Sequence, residues 1–416
     1  MESIAEDGLG INALSPTALT QLLALEDLVV TALELVPWQA RLYLHCTPTS
    51  PVADCPACHA ASFQIHQYHR RTVRDLPWGP WACYLQLTRR RFWCARCARP
   101  FTEACSAVAP CARTTRRCAA ALVAAVAAAT IDAVAAAFGH GYHAVEGIFY
   151  RTAQAAHPSS PPAHRVRCLG IDEIAARKGH GHYKLVLVDL DRRVVIEQLP
   201  DRRKETLSAY LLTWSAQARA AVEEVAVDFW AAYHEVAAEL LPQARVVGDR
   251  FHVQKHLNDA LNQTRRTVQR TLGTEDATFV RQQRHLLLSN EDDLDARNWR
   301  QLCAMKVVVP ILDKVHTLKE EWRTLFNQAI PREEAAGEVA AWLERARASA
   351  APALLEFVGF VERWREPILN YFVARTTSGT VEGLNNKIKL VKRQAFGFRN
   401  DTHFRLRVLM ACAGAG

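Results

Sequence analysis

Leu169-Gly-Ile-Asp172-Glu ends a short apolar run that begins at Val166. A run of this length predicts a buried strand, Val166 to Ile171. A second run, Val222 to Val227, also ends at an acid, Asp228. A carboxylate at the end of a buried strand faces a crevice rather than the core. The two runs therefore predict an α/β core with acidic side chains along one edge of its sheet.

A third acid, Glu382, opens a strongly basic helix in Thr380-Val-Glu382-Gly-Leu-Asn-Asn-Lys. Taken alone, each of the three acids is most simply a surface or capping residue. Taken together, they suit two magnesium or manganese ions about 4 Å apart, one for the attacking oxygen and one for the leaving oxygen of a phosphoryl transfer. The sequence predicts Asp172, Asp228 and Glu382 as catalytic metal ligands in a site that cuts and joins nucleic acid.

Asp249, in Gly248-Asp-Arg-Phe-His252, competes with Asp228 for the second position because it also follows a predicted strand. Its simpler role is to cap the helix that comes next. We favour Asp228, since it follows the strand predicted to lie beside the first one. Asp249 and His252 are then candidates for positions close to the metal ligands.

The order of elements after residue 165 predicts the core. Strands are expected at Val166 to Ile171, Tyr183 to Leu190, Val194 to Leu199, Val222 to Val227 and Ala244 to Val247, with helices before and after the fourth. Three strands, a helix, a strand, a helix and a strand is the order of a ribonuclease-H-like core. From Val253 to about Trp364 the apolar residues recur with helical period, and this segment is too long for a loop, so we expect an all-α insertion.

Two cysteine pairs, Cys55-Pro-Ala-Cys58 and Cys94-Ala-Arg-Cys97, have the spacing of zinc knuckles and bracket strand-like sequence. Together they predict a zinc ribbon holding one structural zinc ion. Four unrelated cysteines are the simpler alternative, and His59, His66 and His69 are possible substitute ligands.

Ala104 to about Ala155 is predicted helical, with Thr130 capping Ile131 to Phe138, then Gly139-His-Gly141, then Tyr142 to Arg151. Helix, glycine turn and helix predict a DNA-binding helix-turn-helix. A helical hairpin that packs only against protein remains the alternative. Near the start, Pro16 to Leu33 is predicted helical and Ala40 to His45 a strand, with no function assigned.

The formal charge of +8 is unevenly distributed, because most of the excess lies between His59 and Arg117 and behind Glu382. Basic clusters suit the phosphate backbone of nucleic acid, although a solvated face is the simpler explanation. The predicted DNA-contacting residues are Arg89, Arg90, Arg91, Arg116, Arg117, Arg151, Lys387, Lys389, Lys392 and Arg393.

The first residues lack the charged and apolar segments of a secretory signal, so we expect an intracellular protein without disulfides. The Ala-rich run Cys118 to Phe138 is not expected to enter a membrane. Alanine is only weakly apolar, and Asp132 interrupts the run.

In this order, the motifs resemble bacterial insertion-sequence transposases of the DDE class, specifically the ISL-three family. The matching stretches are Cys55-Pro-Ala-Cys58-His, Val73-Arg-Asp-Leu-Pro-Trp78, Arg91-Phe-Trp-Cys94-Ala-Arg-Cys97, Leu169-Gly-Ile-Asp172-Glu, Gly248-Asp-Arg-Phe-His252, Thr380-Val-Glu382-Gly-Leu-Asn-Asn-Lys-Ile-Lys and Ala395-Phe-Gly-Phe-Arg399. The resemblance implies a front end that binds terminal inverted repeats of double-stranded DNA, and a core that cuts the ends and transfers them to target DNA. It also implies a homo-oligomer assembled on DNA, at the nucleoid of a bacterial cytoplasm.

Two rival functions remain open. A structure-selective nuclease such as a junction resolvase could use the same core, but it should lack the long front end. A transposase-derived DNA-binding regulator could keep the front end without catalysis, but the intact acidic triad argues against it.

The predicted domain organisation places the main boundary in a Pro- and Ser-rich linker. The segments are an N-terminal region at 1–45, the zinc ribbon at 46–102, the helix-turn-helix region at 103–156, the linker at 157–164, the catalytic core at 165–260 and 371–412, and the helical insertion at 261–370.

Overall fold

The computed structural model describes residues 15–158, 162, 164–176, 182–376 and 379–413. Residues 1–14 of the predicted N-terminal segment, and residues 159–161 and 163 of the predicted linker, lie outside this description. The chain divides into two compact units, one ending at Ala156 and the other beginning at His157.

The first unit combines a sheet with helices at both ends of its sequence. Its elements are α1 Pro16–Leu23, β1 Leu28–Val36, β2 Arg41–Pro48, β3 Ala53–Asp54, β4 Ala61–Ser62, β5 Ile65–Arg74, β6 Ala82–Cys94, β7 Arg99–Thr102, α2 Arg116–Ala128, α3 Ile131–Phe138 and α4 Tyr142–Ala156.

The main sheet of this unit has the order β1-β2-β6-β5, with β7 also paired to β6. The prediction of a helix from Pro16 to Leu33 is wrong beyond Leu23. Ala24 adopts a left-handed φ of 46° that ends the helix, and the following residues form β1. The boundary predicted at residue 45 falls inside β2, which pairs in parallel with β6. The N-terminal strands therefore belong to the sheet that carries the second cysteine pair.

Helices α2, α3 and α4 pack on one another after this sheet. Thr115 and Thr130 cap α2 and α3 by accepting hydrogen bonds from backbone N–H groups. Gly139 ends α3 with a φ of 60°, a conformation that glycine adopts without strain. In the parts of the chain that the structure describes, no helix is both long enough and apolar enough to cross a membrane.

The second unit begins with alternating strands and helices and continues with helices alone. Its elements are β8 Cys168–Ala175, β9 Tyr183–Asp189, β10 Val194–Leu199, α5 Lys204–Leu212, α6 Ala216–Ala220, β11 Glu224–Val227, α7 Ala231–Leu240, β12 Arg245–Gly248, α8 Arg250–Gln269, α9 Thr274–Gln282, α10 Arg284–Leu288, α11 Ala296–Val308, α12 Pro310–Asn327, α13 Arg332–Ala348, α14 Pro352–Arg363, α15 Arg365–Ala374, α16 Gly379–Gln394 and α17 Asp401–Cys412.

The sheet of the second unit has the order β10-β9-β8-β11-β12. β8 pairs antiparallel with β9 along its length but parallel with β11 only as far as Gly170. The sequence predicted that this strand ends at Ile171, whereas pairing with β9 extends it to Ala175. Asp172 therefore lies within β8, at the point where β11 has already ended and the sheet opens on one side.

The two faces of this sheet are covered by different parts of the chain. Leu169 and Ile171 pack with side chains of α5 and α7, including Leu207 and Tyr233. The opposite face is covered by α16 and α17, through a cluster that includes Val381 and Phe404. Because strand residues alternate between faces, Gly170 and Asp172 point toward α16.

Helices α8 to α15 form their own apolar core, which also takes in Val247 of β12. At its centre Trp322 and Trp342 meet edge to face, with ring centroids 4.6 Å apart. The indole N–H of Trp342 donates to the carbonyl of Leu318 at 2.9 Å, so its polar atom is satisfied. The helical segment starts at Arg250, earlier than the predicted start of the insertion at 261.

Gly170 brings α16 close to the sheet. A Cβ atom at this position would lie 2.8 Å from side-chain carbons of both Leu190 and Val381. Contacts this short do not occur in native cores, so any larger residue would push α16 away from β8. The absence of a side chain at Gly170 therefore sets the distance between the strand that carries Asp172 and the helix that carries Glu382.

We expect Gly170→Val to destabilise the protein by about 1–3 kcal/mol, because overpacking displaces neighbouring elements. Amide hydrogen exchange in α16 should accelerate, and the thermal midpoint should fall. Gly337→Ala is the matched control, since a Cβ there meets nothing within 4 Å and alanine favours the helix. Unchanged exchange in α16 of Gly170→Val would contradict this account of the contact.

Candidate active site and metal centre

Three aspartates follow one another across neighbouring strands of the second unit. Gly170 of β8 pairs with Ala226 of β11, so Asp172 and Asp228 each lie two residues beyond that pair. Val227 pairs with Gly248 of β12, which places Asp249 one residue beyond, next to Asp228. Neighbouring strands are about 4.8 Å apart. The three carboxylates therefore start from adjacent positions on one face of the sheet.

Asp172 is half-buried, and both of its carboxylate oxygens accept hydrogen bonds. The backbone N–H of Glu173 donates to Oδ1, and the side-chain amide of Asn385 on α16 donates to Oδ2, each at 2.7 Å. Burial raises the pKa of Asp172 to about 6, and the nearby charges of Asp228 and Asp249 add to this effect. The protein therefore disfavours the charged form of Asp172, and a bound cation would favour it.

Asp228 occupies the turn after β11. Its Oδ1 accepts a hydrogen bond from the backbone N–H of Trp230 at 3.2 Å. Burial raises the pKa of Asp228 above its usual value, and the charges of Glu173 and Asp249 contribute. Among the described residues, no lysine or arginine forms an ion pair with Asp172 or Asp228. Two carboxylates are thus close together without a lysine or arginine partner, and His252 is the titratable side chain that offsets part of their charge.

Asp249 is used differently from the other two aspartates. Asp249 is buried, and its Oδ1 caps α8 by accepting a hydrogen bond from the backbone N–H of Phe251. Its Oδ2 lies 2.7 Å from Nδ1 of His252. This contact raises the pKa of His252, and the charges of Asp172 and Asp228 add to it. The structure therefore brings His252 into the same charged cluster as the two other aspartates, with Asp249 holding the imidazole in place.

Glu173 lies on the opposite face of β8 and is fixed by two side chains. The hydroxyl of Tyr233 donates to Oε1 at 2.7 Å, and Arg202 donates to Oε2 at 3.0 Å. The guanidinium of Arg202 also stacks over Trp230, 3.9 Å from the ring centroid. Glu173 is therefore a supporting residue that ties β8 to α7.

Glu382 lies in the first turn of α16 and is exposed. It precedes Asn385 by three residues, so both side chains belong to the turn of the helix that contacts Asp172. Among the described residues, only the four paired cysteines bring three or more ligand atoms within 4.8 Å of one another. The carboxylates are thus more widely spread than the ligands of a single closed metal site.

The four paired cysteines of the first unit form one tight cluster. The sulfur atoms of Cys55 and Cys97 are 4.0 Å apart, and those of Cys58 and Cys94 are 3.5 Å apart. A tetrahedral zinc ion with Zn–S bonds of 2.3 Å requires sulfur atoms about 3.8 Å apart. Hydrogen bonds from the backbone N–H groups of Ala57 and Cys58 lower the pKa of Cys55 to about 6, whereas a hydrogen bond with Cys58 raises the pKa of Cys97 to about 12, so the four sulfur atoms share protons when no cation is bound. The geometry and the chemistry of the cluster both fit zinc.

Both cysteine pairs are shaped by the same local backbone. The residue after each pair, His59 and Ala98, has a positive φ, 57° and 51°. This conformation turns the chain sharply after the second cysteine of each pair. The substitute ligands considered from the sequence do not join the cluster, which within the described residues consists of cysteines alone.

The predicted DNA-contacting residues separate into two groups. Arg90 is buried and donates from Nε and Nη2 to Glu103, and Arg117 pairs with the buried Asp75. These two arginines hold the first unit together, so we do not carry forward a DNA contact for either. Arg89 donates to the carbonyl of Glu103, and Lys392 donates to that of Ala175 at 2.7 Å.

The remaining predicted contacts keep part or all of their surface accessible. Arg91 is partly exposed, and the exposed residues are Arg116, Arg151, Lys387, Lys389 and Arg393. Arg116 lines a cavity of about 660 Å³ together with three other arginines, Arg70, Arg71 and Arg89. The exposed cations therefore occur in both units, in the stretches where the sequence concentrates positive charge.

Sequence reasoning missed Asn385 as the partner of Asp172, as well as the contacts of Arg202 and Tyr233 with Glu173. Asn385 lies in the quoted Glu382 motif, three residues after the acid, and that helical spacing was the available signal. Tyr233 gave no such signal, because it lies 60 residues from Glu173 along the chain.

The sequence matches family profiles and known proteins of one kind. A family profile described as transposase matches residues 169–408. A second profile, described as the zinc-finger of transposase IS204/IS1001/IS1096/IS1165, matches residues 51–97. The chain is 30% identical to the transposase for insertion sequence element IS1001 of Bordetella parapertussis, over 90% of this chain and 92% of the relative. It is 27% identical to the transposase for insertion sequence element IS1557 of Mycobacterium tuberculosis, over 60% of this chain and 61% of that relative.

We expect Asp172→Asn to raise the thermal midpoint in buffer without magnesium or manganese. The pKa of Asp172 is about 6 in the folded protein against 3.8 for the ordinary group. Between these values the folded state holds the proton more tightly than the unfolded state, so stability decreases as pH rises. The increase in thermal midpoint caused by Asp172→Asn should be smallest near pH 4 and reach its full size above about pH 6. Asp259→Asn, at an exposed site on α8, is the control, and an equal gain there at every pH would refute the assignment.

We expect the purified protein to contain about one zinc ion per chain. Cys55→Ser and Cys94→Ser should each lose it, because the site needs four thiolates. Cys111→Ser should keep it, since Cys111 is exposed and outside the cluster. Elemental analysis by mass spectrometry measures the metal directly, and full zinc content in both cluster variants would exclude this site.

Proposed function

This chain belongs to the ISL-three family of insertion-sequence transposases, and we propose that it cuts and transfers DNA at the acidic cluster of its second unit, which consists of Asp172, Asp228 and Asp249. One observation carries the assignment to this cluster. Asp172 and Asp228 start from adjacent positions on neighbouring strands, both with raised pKa values, and α16 with Glu382 docks against the first. The DNA would be the terminal inverted repeats of the insertion sequence, followed by target DNA.

We assign the second unit a ribonuclease-H-like core. The sheet order β10-β9-β8-β11-β12 supports this assignment, because an antiparallel three-stranded half joins a parallel half at β8. Helices cover both faces, and the helical insertion enters after β12. The core would then comprise residues 165–260 and 371–412, with α16 returning the chain to the sheet.

Asp172, Asp228 and Glu382 would hold two magnesium or manganese ions. Carboxylate oxygens are the ligands that these hard cations prefer. When bound, such ions activate the attacking oxygen and stabilise the leaving oxygen of a phosphoryl transfer. The absence of a lysine or arginine partner for Asp172 and Asp228 among the described residues supports the fit, because a cation would supply the missing neutralisation.

The side chains of the site would position the reacting phosphate. Asn385 holds Asp172 from the side of α16, and Asp249 orients His252 toward the carboxylates. A protonated His252 would face a non-bridging phosphate oxygen and offset its charge. In the first reaction, water attacks the phosphorus and the 3′-oxygen leaves. In the second, the freed 3′-hydroxyl attacks a target phosphate and displaces its 3′-oxygen, without a covalent protein intermediate.

The first unit would recognise the ends of the element. The zinc ribbon and the helices α2 to α4 support this role, since exposed arginines line both regions. We assign α3 and α4 to a helix-turn-helix, with α4 as the helix that enters the major groove and Arg151 exposed on it. The active form would be a homo-oligomer assembled on two ends, acting at the bacterial nucleoid.

The two rival functions make different predictions. A structure-selective nuclease would cut branched DNA without requiring the repeat sequence. A DNA-binding regulator would bind the repeats and cut nothing in any metal. Asp172 and Asp228 favour an enzyme, since they are desolvated without the arginine partners that the buried structural acids Glu103 and Asp75 have.

We expect magnesium-dependent cleavage of duplexes that carry the inverted repeats flanking the gene. Asp172→Asn and Glu382→Gln should each slow cleavage about a thousandfold or more, because loss of a metal ligand removes several kcal/mol of transition-state stabilisation. Both variants should still shift the same duplex in a gel. Glu333→Gln, at an exposed first-turn glutamate of α13, should cut at the normal rate.

Specific outcomes would overturn these assignments. Cleavage by Asp172→Asn at the wild-type rate would remove this residue from the site. Wild-type binding without cutting, with magnesium or with manganese, would favour the regulator. Cleavage of branched DNA in preference to the repeats would favour the nuclease.

A further inference from the structure

Phe396 is an unusually exposed aromatic residue in the turn after α16. Its side chain is 99% exposed. Its backbone φ is 51°, a left-handed conformation that phenylalanine adopts at a cost. In the free protein, phenylalanine is unfavourable at this position for two reasons, its exposed apolar surface and its strained backbone. A residue disfavoured in both respects is explained most simply by a contact made with a partner.

The turn that carries Phe396 is held in place on both sides. Gly397 donates to the carbonyl of Lys392 at 3.0 Å, and Phe396 donates to that of Arg393 at 3.0 Å. This pair of bonds is a Schellman motif, in which the left-handed position is usually glycine. On the far side, Phe398 stacks on Phe404 with ring centroids 4.9 Å apart. The exposed ring is therefore presented by an anchored turn.

The charge around Phe396 identifies the partner. The segment 383–400 carries five cationic residues and no acidic one. Four of them are exposed, namely Lys387, Lys389, Arg393 and Arg399. A second copy of this chain placed symmetrically on the surface would bring these like charges together. A polyanion with apolar ring faces, which is nucleic acid, matches both the charge and the aromatic ring.

The length of α16 between Asn385 and Phe396 gives the distance between Asp172 and the exposed ring. Asn385 contacts Asp172, and Phe396 follows Asn385 by eleven residues along the same helix and its turn. At 1.5 Å per residue the separation along the helix axis is about 16 Å. If α16 lies along the DNA axis, this length spans about five base pairs, because stacked bases are 3.4 Å apart.

We propose that Phe396 inserts into the base stack of the bound DNA about five base pairs from the phosphate that is cut. The inference rests on the proposed function, because it assumes that the phosphate lies at Asp172. The neighbouring cations neutralise the backbone, and the ring unstacks one base step. The insertion fixes the register of the DNA end relative to the acidic cluster.

Fluorescence of 2-aminopurine tests the proposal without any cleavage. The base analogue is placed singly at positions three to seven of the inverted-repeat duplex, and the full-length protein is added with calcium in place of magnesium. Wild-type protein should raise the fluorescence several-fold at one or two adjacent positions. Phe396→Gly should abolish this rise and weaken binding by about tenfold, because the bound DNA loses the stacking of a base on the aromatic ring. Phe396→Trp should retain it.

Phe396→Gly also tests folding, because glycine is the favoured residue at a left-handed position. Its thermal midpoint should equal or exceed that of the wild type, so a lost signal cannot come from unfolding. Leu390→Ala, another exposed apolar residue on α16, should leave the signal intact.

Three results would overturn the proposal. The first is a full rise in 2-aminopurine fluorescence with Phe396→Gly, and the second is an equal loss of that rise with Leu390→Ala. The third is a loss of self-association in Phe396→Gly without DNA, which would show that a second copy covers the ring. Failure of wild-type cleavage in magnesium would instead count against the proposed function, because the fluorescence change does not require catalysis.

Discussion

The close approach of α16 to β8 at Gly170 is the constraint on which the second unit depends. Asp172 and Asn385 are 213 residues apart in sequence and 2.7 Å apart in space. Between them the chain completes the sheet and builds a helical core of its own. Only when α16 returns to the sheet does Asn385, one helical turn after Glu382, reach Asp172. One missing side chain, at Gly170, makes room for that return.

The acidic cluster shows how the fold uses similar residues for different purposes. Asp249 is fully engaged, capping a helix and holding His252. Asp172 and Asp228 are only partly satisfied by N–H donors and lack a lysine or arginine partner among the described residues. Burying these carboxylates is unfavourable in free energy. The large apolar clusters on both faces of the sheet and in the helical insertion stabilise the fold and offset this term. Stability is thus concentrated away from the site, and the site itself is left electrostatically unsatisfied.

Local spacing in the sequence was enough to predict some of these features but not others. The cysteine pairs and the order of strands around Asp172 follow from patterns within a few residues, and the structure contains both. The structural role of Arg90 could not be predicted, because it depends on Glu103 from another strand segment and on burial that composition does not reveal. The predicted helix covers Leu28 to Leu33, the first part of β1, and the pairing with β2 that makes this segment a strand comes from residues more than ten positions later in the chain. The wide spacing of the carboxylates likewise depends on tertiary contacts.

The order of the pieces along the chain has a consequence for protein synthesis. Compact units fold as they emerge during translation, starting from the N-terminus. The first unit, complete at Ala156, can fold while most of the second is still unmade. Helix α16, with Glu382 and Asn385, cannot pack against β8 until it has left the ribosome, when nearly all of the chain has been made. If the first unit and the acidic cluster act as proposed, a message that ends before α16 would yield a chain that binds the element's ends but does not cut them. Incomplete translation would produce a competitor of the intact protein rather than a weaker version of it.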